Sequence, residues 1–322
     1  MDTGLRRYDV KGAAGRRNRD ASERGRLHAA PGNPIIMTRV AQEPPMVHIA
    51  ELENAPETIE ASLFYLARGA DKLVTYVAAP GGRDERSGGG SETHRVTIHN
   101  GRKLAEGFAF EREGFRFVDH HTRVADFFDD AAVRRVYYPE CEALIKEVSG
   151  ARRVVVFDHT LRTASDEQRE TQKIRDVVSR VHNDYTEWSG PQRVRDVMGE
   201  EAEALLQGRF AIIQVWRPTS HPVESHPLAI CDAQTVRPET LVVNERRYPG
   251  RVGQTYGITY DPGQRWYWFP HMRPDEALVF KVYESLKDGR ARWTAHTAFV
   301  DPTSPPHARP RESIEIRTLA FF

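Results

Sequence analysis

Hydrophobic and polar residues follow two rhythms along this chain. From about Val47, β-branched and aromatic residues come in short alternating runs, the period-two mark of strands with one buried face. Residues 62–66 and 73–77 are two such runs, and residues 80–91 read as a Gly/Ser/Arg loop. Residues 94–99 then meet Asn100-Gly101, a strong signal for a tight hairpin and a return strand. Residues 107–110 and 114–118 continue the β pattern. A helical rhythm follows at 125–128, 130–136 and 138–148, the last opened by Pro139-Glu140 and closed by Gly150. Residues 153–157 read as a buried strand ending at Asp158-His159-Thr160. Two further helices are predicted at 171–181 and 192–206. Strands are predicted at 210–216, 228–231, 241–244, 257–260, 265–269, 277–283, 293–299 and 313–321.

This pattern predicts an α+β, mainly β, chain, with a β-rich C-terminal half framed by N-terminal helices as a sandwich or jelly roll. Residues 1–45 stand apart. They lack periodic apolar positions and read as a disordered arm, and the first 36 residues carry eight Lys/Arg against four Asp/Glu. Arg16-Arg17 is not followed by the apolar segment of an export signal, and Met37 offers an alternative start. With no internal repeat and no later linker, residues 46–322 read as one domain.

Composition narrows the class. The 322 residues carry 46 basic and 46 acidic side chains, a balance unlike the concentrated basic surface of a nucleic-acid binder. No apolar run approaches the roughly 18 residues of a membrane span. Cys141 and Cys231 are the only cysteines and lie outside any CxxC pattern, which excludes a zinc ribbon or disulfide scaffold and fits a reduced, cytoplasmic compartment. Oligomeric state leaves no mark in the sequence.

The candidate chemistry centres on Val181-His182-Asn183-Asp184-Tyr185-Thr186. Side chains two apart on an extended strand share a face, so His182 and Asp184 can grip one side of a metal ion. Two histidines and a carboxylate leave open positions for oxygen chemistry on iron(II). With 13 histidines, roughly two His-x-Asp/Glu triplets are expected by chance, so the triplet alone is weak. A second histidine, His296, follows in the β-like stretch Thr294-Ala295-His296-Thr297-Ala298. Arg311-Glu312-Ser313 is the only Arg-x-Ser in the chain. A guanidinium and a hydroxyl on one strand face suit the distal carboxylate of 2-oxoglutarate.

The order His-x-Asp, distant His, Arg-x-Ser resembles that of the iron(II)/2-oxoglutarate-dependent oxygenases. More narrowly, the chain from about residue 60 onward is similar to the CmcJ/NvfI oxidoreductases, the group with the AsaB-type hydroxylase/desaturases. The stretches that carry the similarity include Tyr137-Tyr138-Pro139-Glu140, Asp158-His159-Thr160-Leu161-Arg162, Trp216-Arg217-Pro218 and Trp266-Tyr267-Trp268-Phe269-Pro270. The resemblance implies a double-stranded β-helix (jelly-roll, cupin-like) fold, with iron(II), 2-oxoglutarate and O2 used to hydroxylate or desaturate a small molecule of secondary metabolism. It also implies His182, Asp184 and His296 as metal ligands, and Arg311 with Ser313 as the oxoglutarate clamp. The 114 residues between the two histidines imply an insertion around 218–261 that forms a lid or substrate loop.

Plainer readings stand beside these. His182 and Asp184 fit a helix-end capping pair, and His296 fits a hydrogen-bonded core histidine. Arg311 can pair with Glu312 or Glu315, and Arg317 is a competing anchor. Asp158-His159 fits burial near the sheet, and for His221 and His226 unliganded loop histidines are the default over a zinc site. Arg162, Trp216 and Trp268 are candidate substrate-pocket residues, with core packing as the alternative. The competing function classes are a non-catalytic β-sandwich that binds a metabolite or partner protein, and a hydrolase or transferase built on Asp158-His159. No GxSxG supports the latter.

Overall fold

The computed structural model describes residues 54–69, 73–77, 84–104, 107–172 and 174–322. The arm expected over residues 1–45 lies outside them. Strands β1 (Thr58–Leu66), β2 (Leu73–Tyr76), β3 (Glu85–Ser87), β4 (Ser91–Asn100) and β5 (Phe115–Asp119) come first. Helix α1 (Tyr138–Ser149), β6 (Arg153–Thr163), α2 (Asp166–Gln172), β7 (His182–Asn183) and α3 (Ser189–Met198) follow. The remaining strands are β8 (Phe210–Pro218), β9 (Leu228–Cys231), β10 (Leu241–Tyr248), β11 (Arg251–Ile258), β12 (Trp266–Trp268), β13 (Glu276–Glu284), β14 (His296–Ala298) and β15 (Glu312–Phe321).

These strands form two sheets. The larger runs β1-β4-β12-β9-β14-β7-β11-β10-β2-β3, and the smaller runs β5-β13-β8-β15-β6. Central strands of the smaller sheet are buried on both faces, so they read as nearly continuous apolar runs. In β8, Ile212 and Trp216 face a core shared with Ile230 and Tyr267 of the larger sheet. Ala211, Ile213 and Val215 face the opposite way, onto a cluster with Cys141, Leu144 and Ile145 of α1. The two sheets therefore pack face to face, with α1 covering the outer face of the smaller one. The α1 boundaries follow its caps: Pro139 and Glu140 lie in the first turn, and Gly150 ends it at φ 75°. Each Leu or Ile buried by this helix contributes roughly 1.5–3 kcal/mol.

Three expectations are corrected. Asn100-Gly101 does not turn a hairpin. The Asn100 side chain instead accepts from the Arg102 N–H at 3.0 Å and opens a 3-10 turn, and β4 finds its partners in β1 and β12. The helix expected over 171–181 stops at Gln172. From Ile174 the chain runs extended towards β7, where the Val181 N–H donates to the Phe64 carbonyl at 2.8 Å. Tertiary backbone pairing there overrides a helical propensity worth only tenths of a kcal/mol per residue. The 130–136 helix is a short turn running into a π-helical segment, Val133–Tyr137.

Within the stretch expected as an insertion, β10 and β11 form a hairpin turned at Gly250, whose φ is 82°. β11 pairs with β7, placing this hairpin beside the His182 strand.

Candidate metal centre

β7 is only two residues long, yet it is fixed from both sides. His182 pairs with Gly257 of β11 and directly opposite His296 of β14. Cross-strand neighbours in this position have Cβ atoms about 4.5–5.5 Å apart; the two imidazole centroids here lie 4.3 Å apart. The intervening Asn183 points the other way into the core, where its Nδ2 donates to the Tyr185 carbonyl at 2.8 Å and to the Val282 carbonyl at 2.9 Å. The bond to Val282 ties this stretch to the smaller sheet, and with Asn183 turned inward Asp184 lies on the side of His182.

His182 Nε2 is 3.7 Å from one Asp184 oxygen, and His296 Nε2 is 3.8 Å from the other. All three ligand atoms lie within 4.8 Å of one another. Ligands about 2.1 Å from an ion, seen at 90–120°, are about 3.0–3.6 Å apart, so small side-chain shifts complete a coordination face. Each histidine spends its other nitrogen on backbone. His182 Nδ1 sits 2.8 Å from the Arg180 carbonyl, and His296 Nδ1 sits 3.0 Å from the Thr294 carbonyl. A carbonyl can only accept, so each Nδ1 carries the proton and each Nε2 offers a lone pair. His296 Nε2 is buried with no protein partner, which is costly unless a metal or solvent takes it.

Electrostatics favour the ligand forms. Burial pushes the His182 imidazole down to about 3, and neighbouring His296 adds to this. Burial works against the Asp184 carboxylate, but its coupling to His182 and His296, the Arg317 charge and the Gln214 amide outweigh it and hold the group well below the usual carboxylate range. The Gln214 amide acts directly: its Nε2 donates to Asp184 Oδ2 at 2.5 Å. Arg317 is itself fully engaged, with Asp158 at 3.0 Å, Thr160 at 2.8 Å and a close pair to Glu315. Asp158 is thus the partner of Arg317, while His159 meets the Tyr138 hydroxyl at 2.8 Å.

Arg311 differs from Arg317. It is buried over the Trp216 ring at 5.4 Å, and its Nη1 donates to the His226 carbonyl at 2.8 Å. Its Nε has no partner, and neither do Ser313 Oγ and His226 Nδ1, all three buried. Burial pushes the guanidinium down to about 9, with Arg162 adding to this, so it remains charged at neutral pH. A charged donor edge and a hydroxyl, both lacking acceptors, fit an incoming carboxylate. Ser313 lies in register with Arg162 of β6.

His182 and Asp184 open on a cavity of about 650 Å³ that Arg162 also lines. Trp216 and Trp268 lie elsewhere. Trp216 packs beneath Arg311 on a small apolar pocket, and Trp268 is buried in the core beside Trp266. His221 and His226 form no metal group among the described residues. Sequence reasoning missed Asn183, Gln214 and the two anchoring carbonyls. Gln214 had a signal, a lone amide within an otherwise apolar strand, because a buried amide persists only where it has a partner; the carbonyls had none.

Two histidines and one carboxylate converging in a buried setting, with His182 and Asp184 on a cavity wall, define the class of scaffold that binds a redox metal with open coordination positions. Comparisons with known proteins agree. A family model described as "Oxidoreductase/YMDC permease-like domain" matches residues 63–321. The Fe(II)/2-oxoglutarate-dependent dioxygenase nvfI of Aspergillus novofumigatus is 35% identical over 237 residues, 71% of this chain and 83% of the relative. The hydroxylase/desaturase CTB9 of Cercospora beticola is 34% identical over 253 residues, covering 72% and 77%. The solved structure of the iron and alpha-ketoglutarate-dependent endoperoxidase NvfI superimposes with a TM-score of 0.73 at 29% identity, covering 83% of this chain and 99% of that one. The chain belongs to this NvfI-related family of Fe(II)/2-oxoglutarate-dependent oxygenases. No helix among the described residues is long and apolar enough to cross a membrane.

Proposed function

We propose that this protein hydroxylates or desaturates a small-molecule intermediate of secondary metabolism, with His182, Asp184 and His296 as the iron ligands. In this reading residues 46–322 are one oxygenase domain on a double-stranded β-helix core. The observation that carries it is the convergence of the three ligand atoms within 4.8 Å, with both Nε2 lone pairs freed by carbonyl bonds on Nδ1. Iron(II), 2-oxoglutarate and O2, when bound, supply the oxidising power to remove a hydrogen atom from the substrate.

The chain's own residues do the rest. Gln214 holds the Asp184 carboxylate, and Asn183 ties down the backbone on either side of it. Arg311 and Ser313 receive the distal carboxylate of 2-oxoglutarate, which satisfies buried donors that have no acceptor in the protein. The β10–β11 hairpin contributes Arg246, Tyr248 and Val252 to the cavity wall and serves as the substrate loop expected of the insertion. Hydroxylation and desaturation differ in which substrate carbon the cavity presents after the first hydrogen is removed.

Anaerobic titration with iron(II) and 2-oxoglutarate, watching the metal-to-ligand charge-transfer band and subsequent succinate formation, tests the reading. Wild type gives the band; His182→Ala and Asp184→Ala lose iron and turnover while remaining folded. A folded Asp184→Ala protein with full iron binding and turnover ends the proposal.

A further inference from the structure

The cavity above the metal triplet has a charge surplus that the oxygenase chemistry does not use. Among its described lining residues are eight arginines and four aspartates, with no lysine and no glutamate. The aspartates are already occupied. Asp84 meets Arg246 at 3.2 Å, Asp158 meets Arg317 at 3.0 Å, Asp184 belongs to the metal triplet, and Asp196 lies 3.9 Å from Arg193. Among the described residues, none forms an ion pair with Arg86, Arg175 or Arg180. Arg311, the residue proposed for 2-oxoglutarate, does not line the cavity, so the co-substrate's distal charge does not consume the surplus.

Arg180 is the sharpest case. Its Nη2 donates to the Ser91 hydroxyl, while its Nη1 is buried with no partner at all. A buried guanidinium N–H left without an acceptor costs about 1–3 kcal/mol, a cost that a bound anion removes. Arg180 precedes His182 by two residues on an extended segment, so its side chain leaves the same face about 7 Å along the chain. The cavity also has an apolar side. Phe128 and Trp188 line it although each is 48% exposed, and Phe157 and Tyr185 stand beneath the Arg193 guanidinium at 5.2 and 6.0 Å. Large exposed aromatics on a cavity rim mark a surface that an apolar ligand covers.

We propose that the substrate is an amphiphilic small molecule whose oxyanion head is received by Arg180, with Arg86 and Arg175 supplying background positive charge, and whose apolar body lies against Phe128, Phe157 and Trp188. This rests on the oxygenase reading of the same site. The head is a carboxylate or a phosphate; both satisfy the open guanidinium edge.

The test uses the full chain loaded anaerobically with iron(II) and 2-oxoglutarate, titrated with 1-pyrenebutyrate, with 1-pyrenebutyl phosphate and with the uncharged 1-pyrenebutyramide, followed by fluorescence anisotropy. At least one anionic probe binds tenfold or more tighter than the amide, and the stronger of the two identifies the head. Arg180→Gln erases the preference and Arg180→Lys retains most of it, with the charge-transfer band recorded in each variant to show that iron and 2-oxoglutarate are loaded. Equal binding of acid, phosphate and amide overturns the proposal. So does a preference that survives Arg180→Gln, or a loss in that variant of 2-oxoglutarate affinity instead of probe affinity. Failure of the oxygenase reading would appear separately, as absence of the charge-transfer band in wild type, with the probe preference still deciding the anion site.

Discussion

Replacing Arg311 by methionine should move stability and co-substrate binding in opposite directions. Arg311 is 2% exposed, makes one hydrogen bond to a backbone carbonyl and leaves its Nε unsatisfied. Its fall from an ordinary 12.5 to about 9 corresponds to a burial penalty on the order of 5 kcal/mol, an upper bound because structural relaxation and water penetration reduce it. Against this, the variant loses one hydrogen bond, worth about 1 kcal/mol, and keeps part of the packing on Trp216. The net expectation is an Arg311→Met protein more stable than wild type by about 1–3 kcal/mol without ligand. At roughly 2–4 °C per kcal/mol, the melting temperature rises by several degrees. Saturating 2-oxoglutarate reverses the ranking, since a ligand at one hundred times its Kd adds about 2.7 kcal/mol to wild type and little to the variant. Differential scanning fluorimetry of both proteins, with Mn(II) and with or without 2-oxoglutarate, reads all four values. A variant that keeps the wild-type ligand-induced shift, or one that melts well below wild type without ligand, refutes the assignment of Arg311 as a carboxylate receptor.

Three other outcomes are expected. Gln214→Leu removes the amide that orients Asp184, and metal affinity should fall about 10–100-fold with the fold retained, as measured by competition with a chromogenic chelator. Glu276 is buried and takes two bonds from Arg102 at 2.7 and 2.6 Å, so Glu276→Ala should cost about 3–5 kcal/mol in urea unfolding, and the Arg102→Ala/Glu276→Ala double variant less than the sum of the singles. Burial, with the Arg217 charge beside it, lowers His120 from 6.5 to about 4. Because the folded value lies below the unfolded one, stability should be complete above pH 6.5 and be lost as pH falls towards 4. His120→Gln should flatten that part of the pH–stability profile, and an unchanged slope would show that another group carries it.

Most of the strands and helices of the C-terminal half, and the pairing of His182 with Asp184 on one strand face, were legible in the amino-acid sequence. Both depend on local information. Buried strands such as β8, β13 and β15 announce themselves through apolar runs, α1 through Pro139 and Gly150, and the pair His182 and Asp184 through the two-residue period of an extended chain. Family resemblance then supplied the order in which His296 and Arg311 follow. Failures came where non-local partners competed with local preference: Asn100-Gly101 caps a turn because β4 pairs with β1 and β12, and residues 174–181 stay extended because β6, β14 and β1 receive them at Arg175, Val178 and Arg180–Val181. Only the tertiary structure decided that Gln214 and Asn183 hold the triplet, that Arg317 is satisfied while Arg311 is not, and that Trp216 supports Arg311 instead of lining the cavity. A hydrogen bond between residues thirty or a hundred positions apart leaves no period in the sequence, and the difference between a satisfied and an orphaned guanidinium exists only once the chain has folded around it.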